Sequence, residues 1–396
     1  MTGDATLFDE QVPFIEGIAI PDGAEDAYYT PTLSSETASV YEHAARAIDR
    51  SLRVGIHGLP LMGTGDWNDG MNRVGHQGRG ESVWLGWFLC KLVADFAPIA
   101  KQRGDFARGE RWQDALSGWK NALLGTAWDG EWFKRAFFDD GQPLGSHVNP
   151  EAKIDLIAQA WAVLSGVAPP DKQRAALLSV ETQLVDHDAG LLRLLDPPLA
   201  KAVPSAGYIQ AYPPGVRENG GQYSHGAVWA LMAQAEFATM HPEAAEAAQA
   251  RELPYRYFTY LSPAHRATQP EYGAVYGIEP YVMAGDVYTQ SPYVGRGGWS
   301  WYTGAAAWLH RASIESIFGL RQTAQTLSFK PCLPAHWPRA ELTLKRDGTT
   351  MRFVFVRGSE AEALTATAHL NAMLLQASES VEWTKLAEDA TFVIPL

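Results

Sequence analysis

The sequence has only two cysteines in 396 residues, Cys90 and Cys332, and they lie far apart in the chain. This number is too small for the disulfide framework of a compact secreted domain, and the spacing does not match a zinc site. We therefore expect a chain stabilised by an apolar core, in a reducing, cytoplasmic setting and without a bound metal.

Positive charge is scarce as well, because 32 Lys and Arg residues face 45 Asp and Glu residues and leave a formal net charge of −13. An acidic surface repels nucleic acid and anionic membrane surfaces, so we expect neither as a partner. No run of about 18 apolar residues occurs, and we expect no membrane span in this chain. A Gly-Lys-Ser/Thr phosphate loop and a dinucleotide fingerprint are also missing, which argues against the usual nucleotide sites.

Aromatic residues, in contrast, are abundant: the chain has 14 Trp, 15 Tyr and 15 Phe. Aromatic faces stack on the C–H faces of sugar rings, and the polar edges of Trp and Tyr can hydrogen-bond to hydroxyls. Most of these residues are expected to fill the core. Those that stand beside carboxylates and glycines are candidates for a carbohydrate site.

Apolar residues recur at helical spacing between residues 34 and 319 and predict about eight helices. The predicted helices are one capped by Ser34 with its stripe at Val40 to Leu52, and others near 82–96, 112–123, 154–164, 171–187, 226–239, 242–260 and 301–319. Long Gly- and Pro-rich loops separate them at 57–80, 126–150, 196–224 and 262–300. Loops of this length inside a compact domain are usually functional, and the pattern is typical of a helical toroid with a site at one end.

The two ends of the chain differ in pattern from the helical part. Residues 1–33 show little periodicity and are predicted to be an extended lead-in. Residues 325–396 are predicted to form a small β domain, because apolar residues alternate around Met351 to Phe355 and Asp347-Gly348 is a hairpin turn signal. Residues 34–324 are therefore the predicted catalytic part of the chain.

The densest loop, 58–72, holds Asp66, Trp67 and Asp69 between glycines, which allow the backbone to approach a ligand. Trp67 can form the floor of a sugar subsite. A neighbouring carboxylic acid can protonate a glycosidic oxygen if burial raises its pKa. The same residues would also suit a structural turn in which Asp and Asn side chains bond to their own backbone.

A second loop contains Arg217 and His225, which can hold an anion, beside Tyr212 and Glu218, which can bind sugar hydroxyls. It would also suit a surface loop that ends at a helix.

A third loop is rich in glycine between 295 and 304 and leads into the helix predicted near 301–319. The free N–H groups of a helix start, with the hydroxyl of Thr303, could cradle a phosphate. A tight turn into the helix is the structural alternative.

These segments resemble glycoside hydrolase family 94, which includes cellobiose and chitobiose phosphorylases and the phosphorylase-like domain of cyclic β-1,2-glucan synthases. The stretch 63–75, Gly-Thr-Gly-Asp-Trp-Asn-Asp-Gly-Met-Asn-Arg-Val-Gly, and its continuation 80–88 carry the strongest similarity, which is to the glucan-synthase branch. The resemblance implies a mainly α protein with an (α/α)6 barrel, or six-hairpin toroid, followed by a C-terminal β-sandwich-like domain.

The resemblance also implies an inverting phosphorolysis of β-glucosidic bonds with inorganic phosphate as co-substrate and no other cofactor. The implied roles are Asp69 as general acid, Trp67, Tyr212, Arg217 and Glu218 as sugar-binding residues, and His225, Thr303 and Gly304 as phosphate-binding residues. The expected partners are a β-glucan oligosaccharide and phosphate.

A complete family member is longer than this chain, so we expect the chain to begin inside the barrel. Two alternatives follow: an active phosphorylase, or a catalytically incomplete remnant that binds carbohydrate or has a structural role. A homodimer and pairing with a separate N-terminal half are both open. As part of a larger synthase, the chain would lie on the cytoplasmic side of the inner membrane.

Overall fold

The computed structural model describes residues 3–21, 27–242, 247–358, 372–386 and 391–396. Its helices are α1 (Val40–Arg50), α2 (Val83–Gln102), α3 (Phe106–Leu124), α4 (Leu156–Leu164), α5 (Pro170–Gln183), α6 (Ser224–Met240), α7 (Ala247–Leu261), α8 (Pro263–Arg266), α9 (Pro270–Tyr276) and α10 (Thr303–Ala312). The chain is mostly helical, as the apolar periodicity predicts.

The strands are shorter and lie around and after the helices. They are β1 (Gln11–Glu16), β2 (Thr32–Ser39), β3 (Glu81–Ser82), β4 (Ala136–Phe137), β5 (Pro143–Leu144), β6 (Ile154–Asp155), β7 (Val185–Asp186), β8 (Leu191–Leu192), β9 (Leu195–Asp196), β10 (Gln222–Tyr223), β11 (Asp286–Val287), β12 (Leu320–Gln322), β13 (Thr326–Phe329), β14 (Arg339–Arg346), β15 (Thr349–Val356), β16 (Ala372–Leu374), β17 (Val381–Glu382) and β18 (Thr391–Pro395).

The helices pack as an inner and an outer layer. Along the chain, α2 packs on α3, α4 on α5 and α6 on α7, while α4 also contacts both α2 and α6, and α6 contacts α10. The burial of the helices agrees with two layers, because residues 156–163 of α4 are all buried, whereas α3 and α5 bury only part of their surface. Helices that are apolar on most sides belong in the interior, so α2, α4 and α6 form the inner layer, whereas α10 contacts α6 with much of its own surface exposed.

The three inner helices begin in the same way, directly after a two-residue strand. Strands β3, β6 and β10 lead into α2, α4 and α6. Ser82 accepts the N–H of Leu85 at the start of α2, and Asp155 accepts the N–H of Ile157 at the start of α4. The long loops meet at this end of the inner layer, where the unpaired N–H groups of the helices also lie.

The prediction that residues 1–33 contain no regular element is wrong. Strand β1 pairs with β2 antiparallel, and β2 continues to Ser39, so that Ser39 rather than Ser34 caps α1. Proline is tolerated in a strand at the edge of a sheet, and the pairing shifts its register next to Pro13. The strands are mostly exposed on both faces, so they lack the apolar alternation by which a strand is recognised.

The predicted loop 262–300 also contains more structure than expected, since α8, α9 and β11 lie within it. The helix α2 is long and apolar enough to cross a membrane by length and composition alone. In this structure 56% of its apolar window is buried inside the protein, and it packs against α3 and α4 as a core helix does.

The C-terminal strands form two sheets, in the orders β12-β13-β17 and β14-β15-β18-β16. The predicted turn at Asp347 and Gly348 joins β14 to β15, and both residues have the positive φ that such a turn needs. Phe329 of the first sheet contacts Phe353 and Phe355 of the second, with ring centroids 4.8 and 5.2 Å apart. Strand β12 begins before residue 325, and the predicted domain boundaries stay predictions.

Candidate active site

The loop 58–72 is anchored by a buried ion pair. Both oxygens of Asp66 accept hydrogen bonds at 2.6 Å from the guanidinium of Arg135, and neither side chain has any solvent exposure. The Ser82 hydroxyl also donates to Asp66 at 2.6 Å. Burial opposes the ionisation of Asp66, but the charge and hydrogen bonds of Arg135 outweigh it and hold the pKa of Asp66 below its usual value.

Arg135 contacts a second carboxylate, that of Asp155 at the start of α4, with 3.4 Å between Nε and Oδ2. Asp155 is buried, and burial raises its pKa to about 6 although Arg135 opposes the shift. One guanidinium therefore ties the first loop to an inner helix. The sequence analysis missed Arg135. Its position in the stretch 132–138, which is rich in aromatic residues, indicates a buried cation that needs a partner.

Asp69 begins a short 3-10 turn that Asn68 caps by accepting the N–H of Gly70. Asn68 and Gly70 are buried, and the side chain of Asp69 between them is exposed. The expected burial of Asp69 is therefore wrong in this structure. The physical reason is the turn itself, which directs the intervening side chain away from the core.

Trp67 connects the first loop to the second. Its indole N–H donates to Nδ1 of His225 at 3.2 Å, and its ring meets the imidazole edge-on, with centroids 5.3 Å apart. Burial lowers the pKa of His225 to about 4, so the ring is neutral at neutral pH. Because Nδ1 accepts, the ring proton resides on Nε2, a buried donor without a partner among the described residues.

Tyr212, Arg217 and Glu218, the sugar-binding residues predicted in the second loop, lie together. The Arg217 guanidinium sits 5.1 Å from the centre of the Tyr212 ring and 3.4 Å from the Glu218 carboxylate. Arg217 has a left-handed backbone, with φ at +52°, and its N–H donates to Asp286 at 2.7 Å. Such a conformation needs support from its surroundings, and Asp286 of β11, which the sequence analysis missed, supplies it.

Thr303 and Gly304 form the exposed first turn of α10, and no side chain in the described part of the chain caps this end of the helix. The Tyr302 hydroxyl, one residue earlier, lies 2.7 Å from the hydroxyl of Tyr223, which is two residues before His225. The N-terminus of α10 and the imidazole of His225 therefore flank the same pair of tyrosines. A helix N-terminus beside a neutral N–H donor is suited to bind an anion.

The residues predicted for the sugar, the acid and the phosphate thus form a connected set. Burial raises the pKa of Tyr208, which the sequence analysis did not select, and the neighbouring charges of Asp69 and Glu218 raise it further. Burial also raises the pKa of Tyr223, with contributions from the neighbouring Tyr302 and Glu218. Among the described residues, no group of three or more His, Cys, Asp or Glu side chains could hold a metal ion.

A family model for the catalytic domain of the glycosyl hydrolase 94 superfamily matches residues 2–319. The chain belongs to that superfamily. The resemblance read from the stretches 63–75 and 80–88 is thereby confirmed. Family 94 membership covers the helical part of the chain and all three site loops.

Several relatives of this family 94 chain are known by name. It is 43% identical to the cyclic beta-(1,2)-glucan synthase NdvB of Rhizobium meliloti (strain 1021) over 362 residues, which are 91% of this chain and 12% of the synthase. It is 32% identical to a 3-O-beta-D-glucopyranosyl-beta-D-glucuronide phosphorylase of Paenibacillus borealis, over 79% of this chain and 39% of that enzyme. A solabiose phosphorylase of the same organism is 30% identical, over 87% of this chain and 41% of the enzyme.

The chain therefore spans less than half the length of these relatives. Among solved structures, a sialidase matches with a TM-score of 0.54 and 13% identity, over 80% of this chain and 27% of that one. At this identity the likeness concerns the fold alone.

Proposed function

We propose that the chain is the acid- and phosphate-bearing part of an inverting phosphorylase that acts on β-1,2-linked glucosides. The proposal includes the (α/α)6 barrel, of which the inner and outer helices would be a portion, and the C-terminal β-sandwich-like domain. The observation that carries it is the hydrogen bond between Trp67 and His225, since it joins the predicted acid loop to the predicted anion pocket.

In the proposed reaction an oxygen of phosphate attacks the anomeric carbon as the bond from that carbon to the glycosidic oxygen breaks. The leaving oxygen keeps the electron pair and takes a proton from Asp69. The proton carried by the attacking hydrogen phosphate returns through solvent to Asp69. Attack from the face opposite to the leaving group turns a β-glucoside into α-glucose 1-phosphate.

One carboxylic acid is sufficient for this chemistry. An inverting hydrolase needs a second carboxylate, about 6.5–9.5 Å away, to activate water. Phosphate is already an anionic nucleophile and needs no such base. The buried carboxylate of the same loop, Asp66, is fully engaged by Arg135 and Ser82, which leaves Asp69 as the carboxylate of the loop that faces solvent.

The proposed phosphate pocket uses donors that do not depend on positive side chains. Nε2–H of His225, the hydroxyl of Thr303 and the N–H of Gly304 would bind three phosphate oxygens. A neutral histidine suits this role because it donates a hydrogen bond without taking up the proton that Asp69 transfers.

The names of the relatives, a cyclic beta-(1,2)-glucan synthase and two phosphorylases, support a glucoside as the substrate.

Incubation of the chain with β-1,2-gluco-oligosaccharides and inorganic phosphate tests the proposal. We expect glucose 1-phosphate to form at a rate that rises with phosphate concentration and saturates. Sugar release at the same rate without phosphate would contradict it and indicate a hydrolase.

The replacement His225→Ala is expected to raise the KM for phosphate by roughly 10- to 100-fold, the effect of losing one hydrogen bond to a charged ligand. His310→Ala is the matched control, because His310 is exposed in the last turn of α10. Steady-state kinetics at varied phosphate distinguish the two variants. An equal KM in both would remove His225 from the phosphate pocket.

The exposure of Asp69 favours a second candidate function, a carbohydrate-binding or structural role without catalysis. The surroundings can raise the pKa of a buried carboxylic acid, as a general acid needs, more than that of an acid in contact with water. Isothermal titration with β-1,2-glucan, combined with the assay for glucose 1-phosphate, distinguishes the two candidate functions. Binding of glucan without glucose 1-phosphate at any phosphate concentration would favour the second.

A further inference from the structure

Two of the 14 tryptophans are exposed, and both lie directly before the first turn of α10. Trp299 and Trp301 are 68% and 62% exposed, whereas every other tryptophan in the described part of the chain is buried or partly buried. Tyr281 is 77% exposed and meets the ring of Trp301 edge-on, with centroids 6.4 Å apart. Exposed apolar side chains that collect in one place mark a binding surface, unlike those scattered singly. We call Tyr281, Trp299 and Trp301 the aromatic platform.

Backbone hydrogen bonds hold the aromatic platform in place. The N–H of Gly285 donates to the carbonyl oxygen of Trp299 at 2.6 Å. The N–H of Tyr302 donates to the carbonyl oxygen of Met283 at 2.9 Å. Between these two bonds Trp301 has a left-handed backbone, with φ at +59°, which is rare for a bulky side chain. Such a conformation persists only where the surroundings impose it, and it is concentrated at functional sites.

The aromatic platform is continuous with the proposed site on two sides. Trp301 is two residues before Thr303 of the proposed phosphate pocket, so their Cα atoms lie within about 7 Å of each other. At the other end of the segment, Gly298 donates its N–H to the carbonyl oxygen of Asp286 at 2.8 Å. The carboxylate of Asp286 accepts the N–H of Arg217, a predicted sugar-binding residue, at 2.7 Å. A long substrate bound at these residues would therefore have the platform beside it.

The chemistry of the platform suits a neutral sugar polymer. Aromatic faces pack on the C–H faces of sugar rings. The hydroxyl of Tyr281 and the carboxylate of Glu279, which accepts the indole N–H of Trp301 at 3.3 Å, can bind sugar hydroxyls. An anionic polymer fits less well, since the protein carries a net charge of −13. Each unit of a glucan has an apolar face and a hydroxylated edge, so one ligand matches both features.

We propose that the aromatic platform binds the sugar units of a linear β-glucan beyond those next to the cleaved bond, and that the protein therefore prefers long substrates to disaccharides. The inference rests on the proposed function, because it takes the site between Arg217 and Thr303 as the place of reaction. The platform residues act on substrate length and transfer no proton. A second contact made by an oligosaccharide that is already held at the site adds to its affinity at little further cost.

The experiment measures the affinity for two β-1,2-gluco-oligosaccharides, the disaccharide and a long linear one, by isothermal titration without phosphate. It compares the unaltered protein with the double variant Trp299→Ala/Trp301→Ala and with Phe106→Ala. Phe106 is the matched control, because it is 61% exposed and follows the C-terminal end of α2, away from the site loops.

The unaltered protein should bind the long oligosaccharide more tightly than the disaccharide. In the double variant we expect this advantage to fall by roughly 5- to 50-fold, the effect of losing two aromatic contacts. Phe106→Ala should keep the full advantage. Quenching of tryptophan fluorescence by acrylamide gives a second measurement that needs no variant. Since the exposed tryptophans are those of the platform, the long oligosaccharide should protect the unaltered protein from quenching more than the disaccharide does.

Equal affinity for the two oligosaccharides in the unaltered protein, or an advantage that survives in the double variant, would overturn the inference. A dimer that the double variant disrupts without a change in glucan affinity would assign the platform to a protein interface instead. Neither binding measurement requires turnover. A lost length advantage without glucose 1-phosphate would refute the proposed function and leave the platform in place, whereas glucose 1-phosphate without a length advantage would refute the platform alone.

Discussion

Asp69→Asn is expected to reduce kcat for phosphorolysis of β-1,2-gluco-oligosaccharides by roughly 10²- to 10⁴-fold, the contribution typical of a general acid. An amide has nearly the same shape as the carboxylic acid but cannot protonate the leaving oxygen. Binding should change little, because Asp69 is exposed and the phosphate donors belong to other loops. Initial rates at saturating phosphate measure the loss.

An activated substrate separates the loss of the acid from a general disturbance. When the substrate is an aryl β-glucoside of a strongly acidic phenol, the phenolate can leave without a proton. Asp69→Asn should therefore cleave this substrate at close to the unaltered rate. Asp140→Asn is the matched control, because Asp140 is exposed and, among the residues that the structure describes, accepts hydrogen bonds only from Gln142 of its own turn. Equal losses on the natural and the activated substrate would argue against Asp69 as the acid.

The largest expected effect on stability belongs to Arg135→Met. This change leaves the carboxylates of Asp66 and Asp155 buried without their shared cation. Removal of one partner from a buried ion pair typically costs about 3–5 kcal/mol in the free energy of unfolding. Urea unfolding followed by tryptophan fluorescence should therefore show a midpoint at markedly lower urea. Loss of activity should accompany it, since Asp66 anchors the loop that carries Asp69.

Arg46→Met is the control for the loss of an ion-paired arginine at the surface. Arg46 binds Glu36 and Glu42, and its side chain is 48% exposed. Exposed ion pairs contribute about 0–1 kcal/mol, so this variant should unfold at nearly the urea concentration of the unaltered chain. If the two variants unfold at the same urea concentration, the buried network does not stabilise the fold.

The helices were predictable because their information is local. Helix α4 repeats apolar residues at the period of a buried helix, and Asp347-Gly348 carries its turn geometry in its residue types. The strand β2 was not predictable in the same way. Its residues are mostly polar and exposed, and pairing with β1 rather than burial holds it in place.

The same distinction between local and long-range information applies to the candidate site. The three loops could be selected as candidates from residue types at short spacing, and the resemblance to family 94 assigned roles to eight residues. Those roles stay predictions. The pair of Asp66 and Arg135 joins residues far apart in sequence, and the hydrogen bond from the N–H of Tyr208 to Asn72 depends on how two turns pack. Neither follows from local pattern.

The anomeric form of the first product tests the central claim most directly. Proton NMR of the reaction of β-1,2-gluco-oligosaccharides with phosphate, recorded from the first minutes, distinguishes the anomers of glucose 1-phosphate. We predict that the α-phosphate is the initial product and that it forms roughly 10²- to 10⁴-fold more slowly with Asp69→Asn. Initial appearance of β-glucose 1-phosphate, or of free glucose independent of phosphate, would contradict the account.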